Sequence, residues 1–286
     1  MSGAGAPVAA PLVTDSAELA RIALRVRDHV LTAGASPVGA HVGGALSAAD
    51  ILTALFFGVM RLRPDQPDWE GRDRFVLSKG HVSSALYGCL AERGYLPVEE
   101  LATYARPGSR LAGHPLPGVP GVEFGTGALG HGLALGVGLA LAAQRDGLPN
   151  RTFVLLGDGE LQEGSVWESA MAAGHLGLER LTAIVDRNGL QISGRTEERL
   201  ALEPVADRWA AFGWETVRVD GHDLVGLLDA LGPTGGGRPR AVIATTVKGK
   251  GVAFLEDRKK SHYVTLGPDL HQRARRQLLA RRATAS

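Results

Sequence analysis

Two short apolar runs divide the middle of the chain. Phe153-Val154-Leu155-Leu156 is uniformly hydrophobic and stops at Gly157-Asp158-Gly159. Leu181 to Val185 is a second such run and stops at Asp186-Arg187-Asn188. Runs of this length bounded by turn residues predict strands buried on both faces. Between them Val166, Ala170, Ala173 and Leu176 recur at helical spacing. The whole predicts one strand–helix–strand crossover of roughly thirty residues, the connection that joins parallel strands. Upstream, Leu19, Ile22, Ala23, Val26 and Val30 form the stripe of a helix reaching about Thr32. Ser47-x-x-Asp50 has the form of a capping box and predicts a helix over Ala48 to Phe57. Phe75-Val76-Leu77 predicts a short strand that turns through Ser78-Lys79-Gly80-His81 into a helix ending at Gly94. Leu133 to Ala143 predicts a buried apolar helix. Trp214 to Val219 and Arg240 to Val247 predict two further strands, with Asp223 capping the helix between them. Strands alternating with helices predict an α/β fold, a parallel sheet with helices on both faces.

In an open parallel sheet the carboxyl ends of the strands share one edge, and ligands bind there. Asp158 and Asn188 both lie just past a strand, so two oxygen-bearing side chains meet at that edge. Mg²⁺ prefers such hard oxygen donors and shares its shell with phosphate oxygens. An isolated Gly-Asp-Gly is more often a plain helix cap. The second strand ending in an asparagine moves the reading toward a metal–diphosphate edge. Gly125-Thr126-Gly127-Ala128-Leu129-Gly130 matches the dinucleotide fingerprint, but Pro- and Gly-rich sequence precedes it where a strand is required. Lys248-Gly249-Lys250-Gly251 ends the last strand and suits either an anion edge or a solvated turn.

Composition narrows the picture further. At 286 residues and 44% hydrophobic, the chain is one large domain or one with extensions. A net charge of +1 exerts no general pull on nucleic acid. Cys89 is the only cysteine, so no internal disulfide forms, which fits a reducing cytoplasm. The N-terminus lacks the basic start and apolar centre of a secretory signal. No segment reaches the ~18 uninterrupted apolar residues of a membrane span. The expected organisation is a flexible tail over residues 1–13, a ligand-binding domain over 14–265, and a basic C-terminal helix or tail over 266–286 carrying Arg273, Arg275, Arg276, Arg281 and Arg282.

The sequence around the two strand ends, GDGELQEG and then AGHLGL, resembles the transketolases, and the Gly-Asp-Gly…Asn pattern is similar to their thiamine-diphosphate signature. The resemblance extends over roughly residues 15–265. It implies that Asp158, Asn188 and the carbonyl of Leu190 hold Mg²⁺ (or Ca²⁺ or Mn²⁺), with Gly157, Gly159, Glu160 and Lys248 bordering thiamine diphosphate. The run RDRFVLSKGH is similar to the family's and implies that His81 approaches diphosphate and substrate. His41, on a glycine-rich loop, His114, in Gly113-His114-Pro115, and His262 are implied substrate contacts and proton carriers, His262 lying near the diphosphate as well. Gly127 and Leu129 match the family's loop around the aminopyrimidine ring. Arg187, Leu116, Ala128, His131 and Tyr263 depart from the family pattern.

The family's cofactor chemistry also needs a glutamate from a second, pyrimidine-binding domain, which this sequence does not contain. The resemblance therefore implies the N-terminal subunit of a split transketolase, inactive alone, completed by a C-terminal subunit in an α2β2 heterotetramer. Glu163 and Glu168 are the implied subunit-boundary carboxylates. The implied reaction moves a two-carbon ketol unit from a ketose or its phosphate to an aldose, without nucleic acid or membrane. The same scaffold also suits a deoxyxylulose-phosphate-synthase-like or ketoacid-decarboxylase-like subunit, or a non-catalytic subunit that keeps the fold.

Overall fold

The computed structural model describes residues 9–284. Its strands are β1 (Arg74–Leu77), β2 (Thr152–Gly157), β3 (Leu181–Arg187), β4 (Leu190–Gln191), β5 (Gly194–Arg195), β6 (Glu215–Asp220) and β7 (Arg240–Thr245). Five of them form one parallel sheet in the order β1-β2-β3-β7-β6, and β4 and β5 make a small antiparallel hairpin beyond the end of β3. All four pairings in the large sheet are parallel, so every strand ends at the same edge. The register sets Gly157 beside Asp186 and Arg187 beside Thr245.

The period of two along the strands sorts the core into two layers. Phe153, Leu155, Ile184, Val242 and Ala244 point to one face. There they meet α1 (Ser16–Gly34), α2 (Val42–Thr53), α3 (Ser83–Arg93), α8 (Leu224–Ala230) and α9 (Pro268–Thr284). Val154, Leu156, Ala183, Val185 and Ile243 point to the other face. They meet α4 (Gly132–Arg145), α5 (Gly164–His175) and α7 (Val205–Ala211), and the single-turn α6 (Thr196–Arg199) follows β5. A fully buried aliphatic or aromatic side chain contributes about 1.5–3 kcal/mol, so these layers carry most of the sheet's stability. The expected α/β architecture with helices on both faces is the one observed.

Two sequence expectations change. Ser47 does not open a helix: α2 already begins at Val42, and Ser47 and Asp50 are buried on it. Ser47 donates to Gly44 O and to the Asp186 carboxylate, while Asp50 takes a bidentate hydrogen bond from Arg27. Tertiary partners hold these polar side chains, so the helix runs past them. Likewise α4 is buried only along Gly132, Leu133, Gly136, Ala140 and Ala143, with Ala134, Gly138 and Ala142 exposed. Only one stripe of that helix faces the sheet, and a Cβ at position 136 would overlap Val154.

The α2 helix and the π-helical turn after it, Val42–Val59, are long and apolar enough to cross a membrane by length and composition. They are instead almost wholly buried in the protein, with Asp50 ion-paired inside. Residues 1–8 and 285–286 of the expected termini lie outside the described residues. Ala10 and Val13 donate backbone hydrogen bonds to Leu62 O and Phe57 O. The basic α9 packs Ala274 and Leu278 into the core and pairs Arg275 with Asp28 of α1.

Candidate functional site

At the C-terminal edge of β2 the chain turns sharply through Gly157, Asp158 and Gly159. The Asp158 carboxylate accepts from Gly159 N at 2.8 Å, Gly189 N at 2.5 Å and Arg187 Nη1 at 3.1 Å. Burial, and then the neighbouring Asp186, push this carboxyl above the ordinary aspartate range, opposed by Gly189 N–H, Lys79 and Arg187. Asn188 follows β3 and accepts from Leu190 N at 3.1 Å. Leu190 O in turn accepts from Lys248 Nζ at 3.1 Å, reaching across from the end of β7. Three strand ends thus bring an acid, an amide, a carbonyl and an ammonium to one place.

β1 delivers the next pair. Lys79 Nζ, buried at the turn into α3, lies 2.5 Å from Asp186 Oδ2. Asp186 also accepts from Ser47 at 2.6 Å and from Thr246. Against the push of burial, Lys79 and these hydroxyls hold Asp186 below its ordinary value. Glu160 is almost fully buried and accepts from Ser78 Oγ, from Gly130 N at 2.9 Å and from Gly157 N at 3.0 Å. Its carboxylate therefore ties the Gly127–Gly130 loop to the β2 turn. Gly130 has φ +81° and sits where a Cβ would lie 2.6 Å from Glu163 Cβ and Ser165 Oγ, so only glycine makes that junction.

Above these groups stand four imidazoles. The His41 ring lies 5.2 Å from His81, 5.8 Å from His114 and 5.2 Å from His262, centroid to centroid. His81 and His262 are 5.6 Å apart. His262 Nδ1 is 3.1 Å from Lys248 Nζ. Burial lowers all four: His41 to about 4, also through His114 and Lys248, and His262 to about 3, also through Lys248 and His41. Burial and Lys79 take His81 well below the usual histidine range, and burial alone lowers His114. At neutral pH the cluster is uncharged and can both give and take hydrogen bonds.

These groups enclose a cavity of about 390 Å³. Its lining includes His41, His81, His114 and His262. Asp158, Asn188, Leu190 and Lys248 line it too, with Gly127, Leu129, Gly157, Gly159 and Glu160. Glu163 borders it, whereas Glu168 is exposed on α5 outside the lining.

Known proteins resemble this chain in sequence and in fold. The model of the transketolase thiamine diphosphate binding domain matches residues 20–281. The chain belongs to the transketolase family. It is 46% identical over 244 residues to an apulose-4-phosphate transketolase subunit of Phocaeicola vulgatus, covering 84% of this chain and 86% of that one. It is 44% identical over 237 residues to the 6-deoxy-6-sulfo-D-fructose transketolase subunit SqwG of a Clostridium species, covering 82% and 86%. A Pichia stipitis transketolase structure superposes with a TM-score of 0.85 at 34% identity over 94% of this chain, which spans only 41% of that protein. This transketolase-family chain therefore matches named subunits along most of their length and that longer transketolase over less than half.

Several residues of the cavity and its surroundings carry no clear signal in the sequence. Lys79 lines the cavity, yet in sequence it was one residue of a strand-end turn. Its signal was a lysine two positions before a candidate histidine. Gln191 follows Leu190 on the β4–β5 hairpin, and its buried Oε1 has no partner. Asp186 is the penultimate residue of β3, and sequence gives no means to tell its role from that of Asp158. His41 Nδ1 is likewise buried and unpartnered within the cavity.

Proposed function

We propose that this chain is the N-terminal subunit of a two-component transketolase. It would bind thiamine diphosphate through a divalent cation. With a partner carrying the pyrimidine domain, it would transfer a two-carbon ketol unit from a ketose to an aldose. The observation that carries the reading is that Asp158, Asn188 and Leu190 line one cavity with four histidines whose basicity burial lowers.

The residues present fit these groups. Asp158 is a buried carboxylate whose charge its neighbours only partly balance, and it sits with an amide side chain and near a backbone carbonyl, the donors a hard cation selects. Asp158, Asn188 and Leu190 O would hold Mg²⁺, with Ca²⁺ or Mn²⁺ able to replace it. Lys248 and Lys79, both in the cavity lining, would supply positive charge to the diphosphate. The unpartnered His41 Nδ1 and Gln191 Oε1 are polar atoms awaiting a ligand.

When bound, thiamine diphosphate supplies the thiazolium carbon that takes up the two-carbon fragment and hands it on. The protein's own work is different. Neutral His41, His81, His114 and His262 hydrogen-bond sugar hydroxyls and orient them. An imidazole among them accepts the proton a hydroxyl loses as the neighbouring C–C bond breaks, and returns it on the reverse step. The names of the two subunit relatives suggest a donor ketose with an anionic far end, a phosphate or a sulfonate. Buried, lone Cys89 suits a reducing cytoplasm.

The test is reconstitution. The purified chain with thiamine diphosphate and Mg²⁺ should show no turnover of a ketose donor. Titrating in a subunit that carries the pyrimidine domain should restore turnover, saturating near one partner per chain. Turnover by the chain alone would refute the split reading.

A further inference from the structure

A buried relay behind the cavity connects α1 and α2 to the turn that presents Lys248. Arg27 on α1 grips Asp50 on α2 through both guanidinium nitrogens, at 2.8 and 2.5 Å. His222, in the loop after β6, approaches the same carboxylate with Nδ1, 2.7 Å from Asp50 Oδ2. Its other ring nitrogen, Nε2, lies 2.9 Å from Val247 N. A backbone N–H can only donate, so Nε2 accepts and Nδ1 carries the proton it gives to Asp50. One tautomer satisfies both contacts. Arg27 and His222 hold Asp50 down at about 2 against the push of burial, so the carboxylate is charged and the clamp is strong.

Val247 directly precedes Lys248, and the backbone around it is tied down residue by residue. Thr246 N donates to Arg187 O, Val247 N to His222, and Gly249 N to Gly43 O at 2.8 Å. Asp257 N donates to Lys248 O. Gly249 has φ +82°, and a Cβ there would overlap Leu255 O, so the turn has little room to shift as a unit. Among these backbone N–H anchors, His222 is the one supplied by a side chain. It therefore controls whether Val247 N–H is paired or stranded next to the lysine that reaches Leu190 O and His262.

We propose that His222 is a positioning residue for the anion-binding edge: clamped between Asp50 and Val247 N–H, it fixes the 246–249 turn so that Lys248 faces into the cavity. The inference rests on the diphosphate reading of that cavity.

The experiment uses the full chain and Mg²⁺ with inorganic pyrophosphate as the probe, read by calorimetry and by amide hydrogen exchange. His222→Phe keeps the ring's bulk but offers no acceptor. It should weaken pyrophosphate binding about tenfold, roughly one neutral hydrogen bond's worth, and speed exchange at residues 247–251 while β2 and β3 stay protected. His222→Gln can bring Oε1 to Val247 N–H and should restore both readouts to within about threefold of the parent. A purely structural role for the ring would be served by Phe and not by Gln. Parent-like binding and exchange in His222→Phe would overturn the proposal, as would a His222→Gln protein as defective as the Phe variant. Failure of the unmodified chain to bind Mg²⁺-pyrophosphate would overturn the reading of the cavity itself.

Discussion

Asp158→Asn separates the ligand's contribution from the scaffold's. In the ligand-free protein the change should be nearly neutral. It removes a buried charge that burial and Asp186 disfavour. In exchange, the new amide can keep its oxygen on Gly189 N and Arg187 while its NH2 faces Gly159 N, which forfeits one hydrogen bond, about 1 kcal/mol. Those effects oppose each other, and the net should stay within about 1 kcal/mol of zero. Ligand binding should behave differently, because the proposed metal set loses its anionic donor. Taking about 2.8 kcal/mol for that donor gives a hundredfold drop in Mg²⁺-dependent affinity.

Thermal shift turns this into temperatures. At a hundred times the dissociation constant a ligand stabilises the folded state by about 2.7 kcal/mol, and at a hundredfold weaker affinity by only ~0.4 kcal/mol. For a chain of this size each kcal/mol moves Tm by roughly 2–4 °C. Mg²⁺ with pyrophosphate should therefore raise the parent's Tm by about 5–10 °C and the variant's by no more than about 2 °C. The ligand-free Tm values should lie close together. An undiminished Mg²⁺-dependent shift in Asp158→Asn would refute the metal assignment. A collapsed ligand-free Tm would refute the argument that Asp158 is under-compensated in the empty cavity.

Two further outcomes follow from single positions. Burial, and then Lys79, bring Lys248 down to about 8, so it carries its positive charge below that pH and loses it above. Pyrophosphate affinity, compared with that of Lys248→Met at each pH, should show an advantage of about tenfold at about pH 7 that vanishes by about pH 9.5; a constant difference across that range would contradict the assignment. Gly130→Ala forces a left-handed backbone onto a residue with a Cβ and drives that carbon into Glu163 and Ser165. Together these should cost about 2–4 kcal/mol in denaturant unfolding, and a loss under about 1 kcal/mol would mean the loop relaxes freely.

How much of this was legible beforehand depends on whether the deciding partner is near in sequence. The strands were legible because a fully buried strand needs an unbroken apolar run, and β2 and β3 supply one each. Asp158 and Asn188 followed, since the end of a strand is where its run stops. Ser47 and Asp50 misled for the opposite reason. Their spacing is that of a cap, but what holds Asp50 is Arg27, 23 residues earlier, and His222, 172 residues later. No local pattern carries that information. Lys79 is the same case: its partner Asp186 is 107 residues away. Gln191 lacked a signal altogether, because only the hairpin after β3 turns it toward the cavity.

The two aspartates at neighbouring strand ends show how the fold assigns unlike roles to like residues. Asp158 and Asp186 are both buried at the C-terminal edge of one parallel strand pair, Asp158 just past β2 and Asp186 one residue before the end of β3. Asp186 is surrounded by donors: the Lys79 ammonium and the Ser47 and Thr246 hydroxyls saturate it, and they hold its proton affinity down. Asp158 meets two backbone N–H groups and one arginine, and that arginine also serves Glu197 and Glu203. Its proton affinity rises instead. The fold thus consumes one carboxylate in holding three elements together and leaves the other short of positive charge at the cavity wall. On the proposed reading, a divalent cation would gain most at Asp158 and little at Asp186. Exchanging their environments, not their identities, is what would exchange their roles.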